Sequence, residues 1–268
     1  MIRLRPVPCI LAATMVAFSA QADISLLTGP DNAPFTAATW PEQGIFTELV
    51  AAALAAGPAP EPHSITWQDN GSSQPDLIKS KAYDMAFPWG QPGCEITAAD
   101  DARCADFHYS DPVIDVVILL FVRADDEFEF DQIADLAGRT LCRPSGSLTH
   151  DPNRFEAQWL PNDALKVRQP ETLGACFDLL MAGRVDAVAV NEFQGVQHMF
   201  AAGLTEKVVP LTRPLATQSL HVVISKTHWR GTALMYRFNA GLAKLKQTGA
   251  YAEILSRHIA IYWERLKG

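Results

Sequence analysis

Asn191 and Glu192 are the residues best placed to meet a small molecule. They follow Asp186-Ala-Val-Ala-Val190, an apolar run that reads as a short strand buried on both faces, as in a parallel sheet. Ahead of it, Leu173, Cys176, Phe177, Leu180 and Met181 recur at helical spacing, and Gly183 is a natural helix stop. In open α/β sheets, ligands bind outside the carboxyl ends of strands, which is where a polar pair after Val190 would sit. Strand alternation, if it continued, would turn Glu192 away from the side that Asn191 faces.

Nucleophilic or metal chemistry finds little support. The chain has no G-x-S-x-G elbow, no H-E-x-x-H and no paired acids on one helix. His108, His150, His198, His221 and His228 are scattered singly, a pattern more usual for structural or solvent-facing histidines. The cysteine spacings lack any C-x₂₋₄-C pair, so neither a zinc site nor a cofactor is expected.

Residues 1–22 have the form of an export signal: Arg3 and Arg5, an apolar run from Ile10 to Phe18, then Ala20-Gln21-Ala22. The run is too short for a bilayer, which needs about 20 apolar residues. Export to the periplasm is therefore expected. Removing the segment takes away two arginines and no acid, moving the formal charge from −8 to −10. Such an acidic chain argues against nucleic acid as a partner. Cys94, Cys104, Cys142 and Cys176 remain, an even count that favours two disulfides in an oxidising compartment. Three connectivities are possible. The preferred one joins Cys94 to Cys104 across a short Gly/Pro/Asp-rich loop, and Cys142 at a strand end to Cys176 in a helix.

The elements needed to position these groups form an α/β pattern that runs twice. Residues 23–27 read as a strand, Ile45–Ala56 as a helix ended by Gly57-Pro58, Ser64–Trp67 as a strand, Gln74–Lys81 as a helix and Tyr83–Phe87 as a strand. A second series starts with VVILLFV at 116–122. It continues through a helical turn at 133–138, strands at 139–142 and 165–167, and the helix–strand pair described above. Leu220–Ser225 is a last strand, followed by amphipathic helices at 232–247 and 250–260. The order is that of doubly wound α/β architecture.

Several blocks together resemble the periplasmic solute-binding proteins of the amino-acid ABC transporters, the family 3 extracellular solute-binding proteins of type 2 periplasmic-binding fold. They are Tyr109-Ser-Asp-Pro112 before VVILLFVR, Ile133-Ala-Asp-Leu-Ala-Gly-Arg139, Gly183-Arg-Val-Asp186 and the ending LAKLKQTGAYAEILSRHI. The resemblance implies two doubly wound α/β lobes joined by two crossover strands: residues 23–114 with 219–268, and residues 115–218. It implies capture of a small polar solute, an amino acid or a related carboxylate or amide, by a monomer that delivers it to a membrane permease without turnover. A periplasmic accessory or sensor protein of a redox system, or an exported enzyme on the same fold, are the alternatives.

In that family an arginine holds the ligand carboxylate and an aspartate its ammonium. Counting back seven residues from Ser110 puts the arginine at Arg103, with Asp100 where a threonine is usual. The aspartate position falls on Asn191, whose amide carries no charge, so Glu192 is the candidate substitute. The resemblance also points to Trp89, in Phe87-Pro-Trp-Gly90, as a cleft wall. Ser147 and Thr149 fall in an anion-binding helix start at 145–149, and Asp31, Asn32 and Phe35 in a closing loop.

Overall fold

The computed structural model describes residues 23–29, 32–68, 73–94, 101–145 and 165–267. The export signal at 1–22, Asp31, Ser147 and Thr149 lie outside the described residues. The strands are β1 (Ile24–Thr28), β2 (His63–Trp67), β3 (Met85–Gly90), β4 (Phe107–Tyr109), β5 (Ile114–Arg123), β6 (Thr140–Cys142), β7 (Lys166–Arg168), β8 (Ala187–Asn191), β9 (Val208–Pro210) and β10 (Ala216–Ser225). The helices are α1 (Ile45–Ala56), α2 (Gln74–Lys79), α3 (Ala102–Asp106), α4 (Leu173–Met181), α5 (Glu192–Ala201), α6 (Gly231–Thr248) and α7 (Ala250–Lys267).

The strands form one sheet in the order β2-β1-β3-β10-β5-β8-β6-β7, with β4 beside β10 and β9 beside β5. β1 is parallel to β2 and β3, and β6 is parallel to β7 and β8. Between these two parallel groups run β5 and β10, antiparallel to each other from Ile114↔Leu220 to Ile118↔Ala216. Past that pairing the two strands part. β5 continues against β8 and β9, while β10 continues against β3 and β4. The expected α/β architecture is present, and the crossover segments are themselves sheet partners.

The apolar run before Asn191 is buried on both faces, as its composition requires. Ala187 and Ala189 join the large core cluster that also holds Leu120, Val122 and Leu141, while Val188 and Val190 pack with Phe121, Phe177 and Leu180 on the α4 side. β1 divides likewise, with Ile24 and Leu26 on one face and Leu27 on the other. α1 and α6 come into backbone contact at Gly241, where a Cβ would lie 1.8 Å from the carbonyl oxygen of Ala53. Only glycine allows the two axes that close.

Most of the sequence-derived elements appear within a few residues of their expected limits. Three departures bear on the site. β3 runs on to Gly90, α7 runs on to Lys267, and α5 begins at Glu192 without any intervening loop. The last removes strand alternation as a guide to where Glu192 points.

Both disulfides have the preferred connectivity. Cys94–Cys104 has Cα atoms 5.6 Å apart and Cys142–Cys176 has them 5.5 Å apart, the latter joining β6 to α4. Their sequence separations are 10 and 34 residues, so the second restricts the unfolded chain more. In urea unfolding of the oxidised protein, replacing Cys142 and Cys176 by serine should cost about 4 kcal/mol, and replacing Cys94 and Cys104 about 3 kcal/mol. The reverse order would show that loop length does not govern the effect.

Candidate functional site

The carboxyl ends of β8 and β1 meet through three amide side chains. Asn191 ends β8 in an extended conformation and caps α5, its Oδ1 accepting the Gln194 backbone N–H at 2.9 Å. Its Nδ2 donates to Gln194 Oε1 at 2.5 Å, and Gln194 Nε2 donates to Asn32 Oδ1 at 2.7 Å. The side chain of Asn191 is thereby committed at both ends, and the residue is 1% exposed. Asn32 is held in turn by backbone pairing with Thr36 across the loop after β1.

An aromatic contact lies beside this chain. Phe35 meets Phe193 edge-on with centroids 5.4 Å apart, and Phe193 meets Tyr262 of α7 the same way at 5.0 Å. The Tyr262 hydroxyl donates to the Phe193 carbonyl at 2.7 Å, and burial is the main cause that raises its pKa. Thus the loop after β1, the first turn of α5 and the last helix converge on residues 191–194. Glu192, in that same turn, is half-buried, and burial raises its carboxyl pKa. Among the described residues it makes no hydrogen bond or ion pair.

Arg103 lies in α3, next to the Cys94–Cys104 bridge. Asp101 caps that helix through the Arg103 backbone N–H at 2.9 Å. It also takes the guanidinium in a fork, Nε at 3.2 Å and Nη2 at 2.8 Å. The side-chain hydrogen bond from Arg103 is the main cause that lowers the Asp101 pKa. Tyr109 reaches the Arg103 carbonyl at 3.4 Å, and its hydroxyl is pushed up to about 12, chiefly by burial.

Trp89 is placed differently from the cleft wall expected of it. It is 3% exposed, packs edge-on to Phe107 at 5.2 Å and belongs to the core between the sheet and α2. Its indole N–H is satisfied there by Gln74 Oε1 at 3.0 Å, which removes the penalty for burying it.

The structure thus brings together Asn32, Phe35, Asn191 and Glu192, and holds Arg103 and Trp89 in other partnerships. Sequence reasoning missed Phe193, Gln194 and Tyr262. The spacing Asn191-x-x-Gln194, an N-cap residue followed at the third helical position by an amide, is a readable helix-start signal. No group of His, Cys, Asp and Glu able to hold a metal occurs among the described residues.

No protein-family model matches the chain, and no curated protein matches it by sequence. Solved structures do match in fold. The ligand-binding core of GluR0 in complex with L-glutamate aligns with a TM-score of 0.67 at 14% identity, over 89% of this chain and 98% of that one. An amino acid ABC transporter substrate-binding protein, AbpA from Streptococcus pneumoniae bound to L-arginine, aligns at 0.64 and 17% identity, over 90% and 95%. A histidine kinase sensor domain with similarity to periplasmic binding proteins aligns at 0.64 and 20%, over 88% and 95%. The chain has the type 2 periplasmic-binding-protein fold.

The double role of Asn191 can be separated by substitution. Asn191→Ala removes the cap and should cost about 1–2 kcal/mol in urea unfolding. Asn191→Asp keeps an oxygen on the Gln194 N–H, and Gln194 and Asn32 turning over together restore the other two bonds, so its loss should be less than half as large. Equal losses would mean that the cap oxygen on the Gln194 N–H does not carry the stability.

Proposed function

We propose that this is an exported two-lobe binding protein, with residues 23–114 and 219–268 as one lobe and 115–218 as the other. It captures a small polar solute between the lobes as a monomer in the periplasm and passes it, unaltered, to the permease of an ABC transporter. The observation that carries the reading is the side-chain bridge Asn191–Gln194–Asn32, flanked by Phe35 and Phe193. It joins two strand ends on opposite sides of the crossover pair, where α/β sheets hold ligands. Clamp closure of this kind shields a polar solute from water.

The solute class follows from what is already paired. Asn191 is committed to its cap, so it is not the acceptor for an ammonium group. Glu192, half-buried and without a described partner, is the acid in the right turn to take that role. Asp31, Arg103, Ser147 and Thr149 complete the proposed contact set, with Arg103 exchanging Asp101 for a solute carboxylate. An amino acid or a related carboxylate or amide fits these groups.

A sensory role is the second reading, and the fold likeness to a histidine kinase sensor domain favours it. Capture itself is common to both.

The test is ligand recovery. Mass spectrometry of gently isolated protein should find one small polar molecule, unchanged after hours of incubation. Adding it back at a hundredfold excess over Kd should stabilise the protein by about 2.7 kcal/mol. For a chain of this size that raises Tm by about 5–10 °C. Glu192→Gln should weaken binding of an ammonium-bearing solute at least tenfold, about 1.4 kcal/mol. If no amino acid, carboxylate, amide or polyol shifts Tm, solute capture is wrong. Binding indifferent to Glu192→Gln removes only the ammonium assignment.

A further inference from the structure

A cavity of about 740 Å³ lies between the loop after β1, α5 and the end of α7. Asn32 and Gln194 of the amide bridge line it, whereas Phe35, Trp89, Arg103, Asn191 and Glu192 do not, so it adjoins the proposed solute contacts without including Glu192 or Arg103. Its size is that of a small-molecule site.

Its charge pattern is unusual for this chain. The sequence has 30 acids against 22 lysines and arginines, yet no Asp or Glu occurs among the described lining residues. Arg265 is the cation there. Its guanidinium carbon stands 4.2 Å from the Trp40 ring centroid, and it has no carboxylate partner among the described residues. A guanidinium lying over an indole keeps its N–H fork free in its own plane.

Trp40 is a fixed platform. Its indole N–H donates to His258 Nδ1 at 3.0 Å, and His258 Nε2 meets Glu48 Oε2 at 2.7 Å. An indole N–H can only donate, so Nδ1 accepts and the histidine proton sits on Nε2, given to Glu48. His258 is fully buried, which locks the indole plane from behind. The remaining walls are the neutral amides Gln194 and Gln197, His198, and the apolar Leu173, Phe200 and Leu266. Burial lowers the His198 pKa, so its ring adds no second charge at neutral pH. Phe200 is 46% exposed at the rim, an apolar face open to solvent.

We infer that this groove binds a small amphiphilic monocarboxylate, its carboxylate on the Arg265 fork and its apolar body against Leu173, Phe200 and Leu266. A cation without an acid, beside apolar walls and neutral amides, complements one negative charge on a hydrophobic body. The site draws on residues 32–40 and 262–266 from one proposed lobe and 173–201 from the other. Gln194 lines it while hydrogen-bonded to Asn191. Occupancy therefore acts on the bridge that joins the strand ends.

Calorimetry on the mature protein, with 4-phenylbutyrate, 4-phenylbutanamide and 4-phenylbutylamine as probes, tests the assignment. The acid should bind saturably with Kd below about 1 mM, and the amide and amine at least tenfold more weakly. Arg265→Gln should weaken the acid at least tenfold, and Phe200→Glu should do the same by placing an acid at the rim. Arg213→Gln, a charge change elsewhere on the surface, should leave it unaltered. Acid and amide binding alike, or equal effects of the two arginine changes, would overturn the assignment.

Discussion

The antiparallel pairing of β5 with β10 is the constraint on which the rest of the molecule depends. Residues 114–118 and 216–220 are the only stretches in which the two parallel groups of strands share a ladder among the described residues. Each strand then continues into a different group, which fixes where the carboxyl ends of β1 and β8 lie relative to one another. A paired ladder resists sliding but allows twist, which suits it to be the two-stranded hinge of the proposed clamp. Its edges are braced: Ser219 donates to Asp115 at 2.6 Å, and Tyr251 and Lys246 reach the carbonyls of Val113 and Pro112. The start of β5 is therefore anchored to α6 and α7.

At the far end of that hinge, amides rather than ions make contact. The Asn–Gln–Asn chain has one order of donors and acceptors, because Asn191 Oδ1 must face the Gln194 backbone N–H and its Nδ2 must then face Gln194 Oε1. An ionic latch between exposed side chains would weaken with salt, whereas a neutral amide chain does not depend on ionic strength in that way. Asn at the cap also leaves the positive end of α5 uncompensated by Asn191 itself. Glu192 is then the group that meets both the helix dipole and the burial that raises its pKa.

Periodicity made much of the fold legible. α1 and the apolar half of β8 follow from spacing alone, and export with four remaining cysteines led to the pairing now seen. α5 was harder because Gly195 interrupts it. That glycine exists for a tertiary reason: a Cβ there would lie 2.1 Å from the Phe121 ring. Trp89 could equally have walled a cleft or filled a core, and its partner Gln74 decides the matter from another element. Asp101 stands two residues before Arg103 in sequence, whereas Asn32 and Gln194 are 162 positions apart and no local pattern links them.

The contacts between the strand ends are of a size that suits a clamp. Gln194–Asn32 and Tyr262–Phe193 are two hydrogen bonds, each worth about 0.5–1.5 kcal/mol net. Phe35–Phe193 and Phe193–Tyr262 are two aromatic pairs worth a similar amount each. Together they offer about 2–6 kcal/mol before the entropy of ordering the side chains is subtracted. Moving a two-state equilibrium from almost all open to almost all closed takes about 5.5 kcal/mol of differential binding. The side-chain entropy brings the latch below that value, so in the proposed clamp a bound solute would decide the balance. Because Phe193 and Gln194 are adjacent in one helical turn, the four contacts form or break together. In the proposed clamp that coupling would leave few intermediate positions in which a solute is half-enclosed.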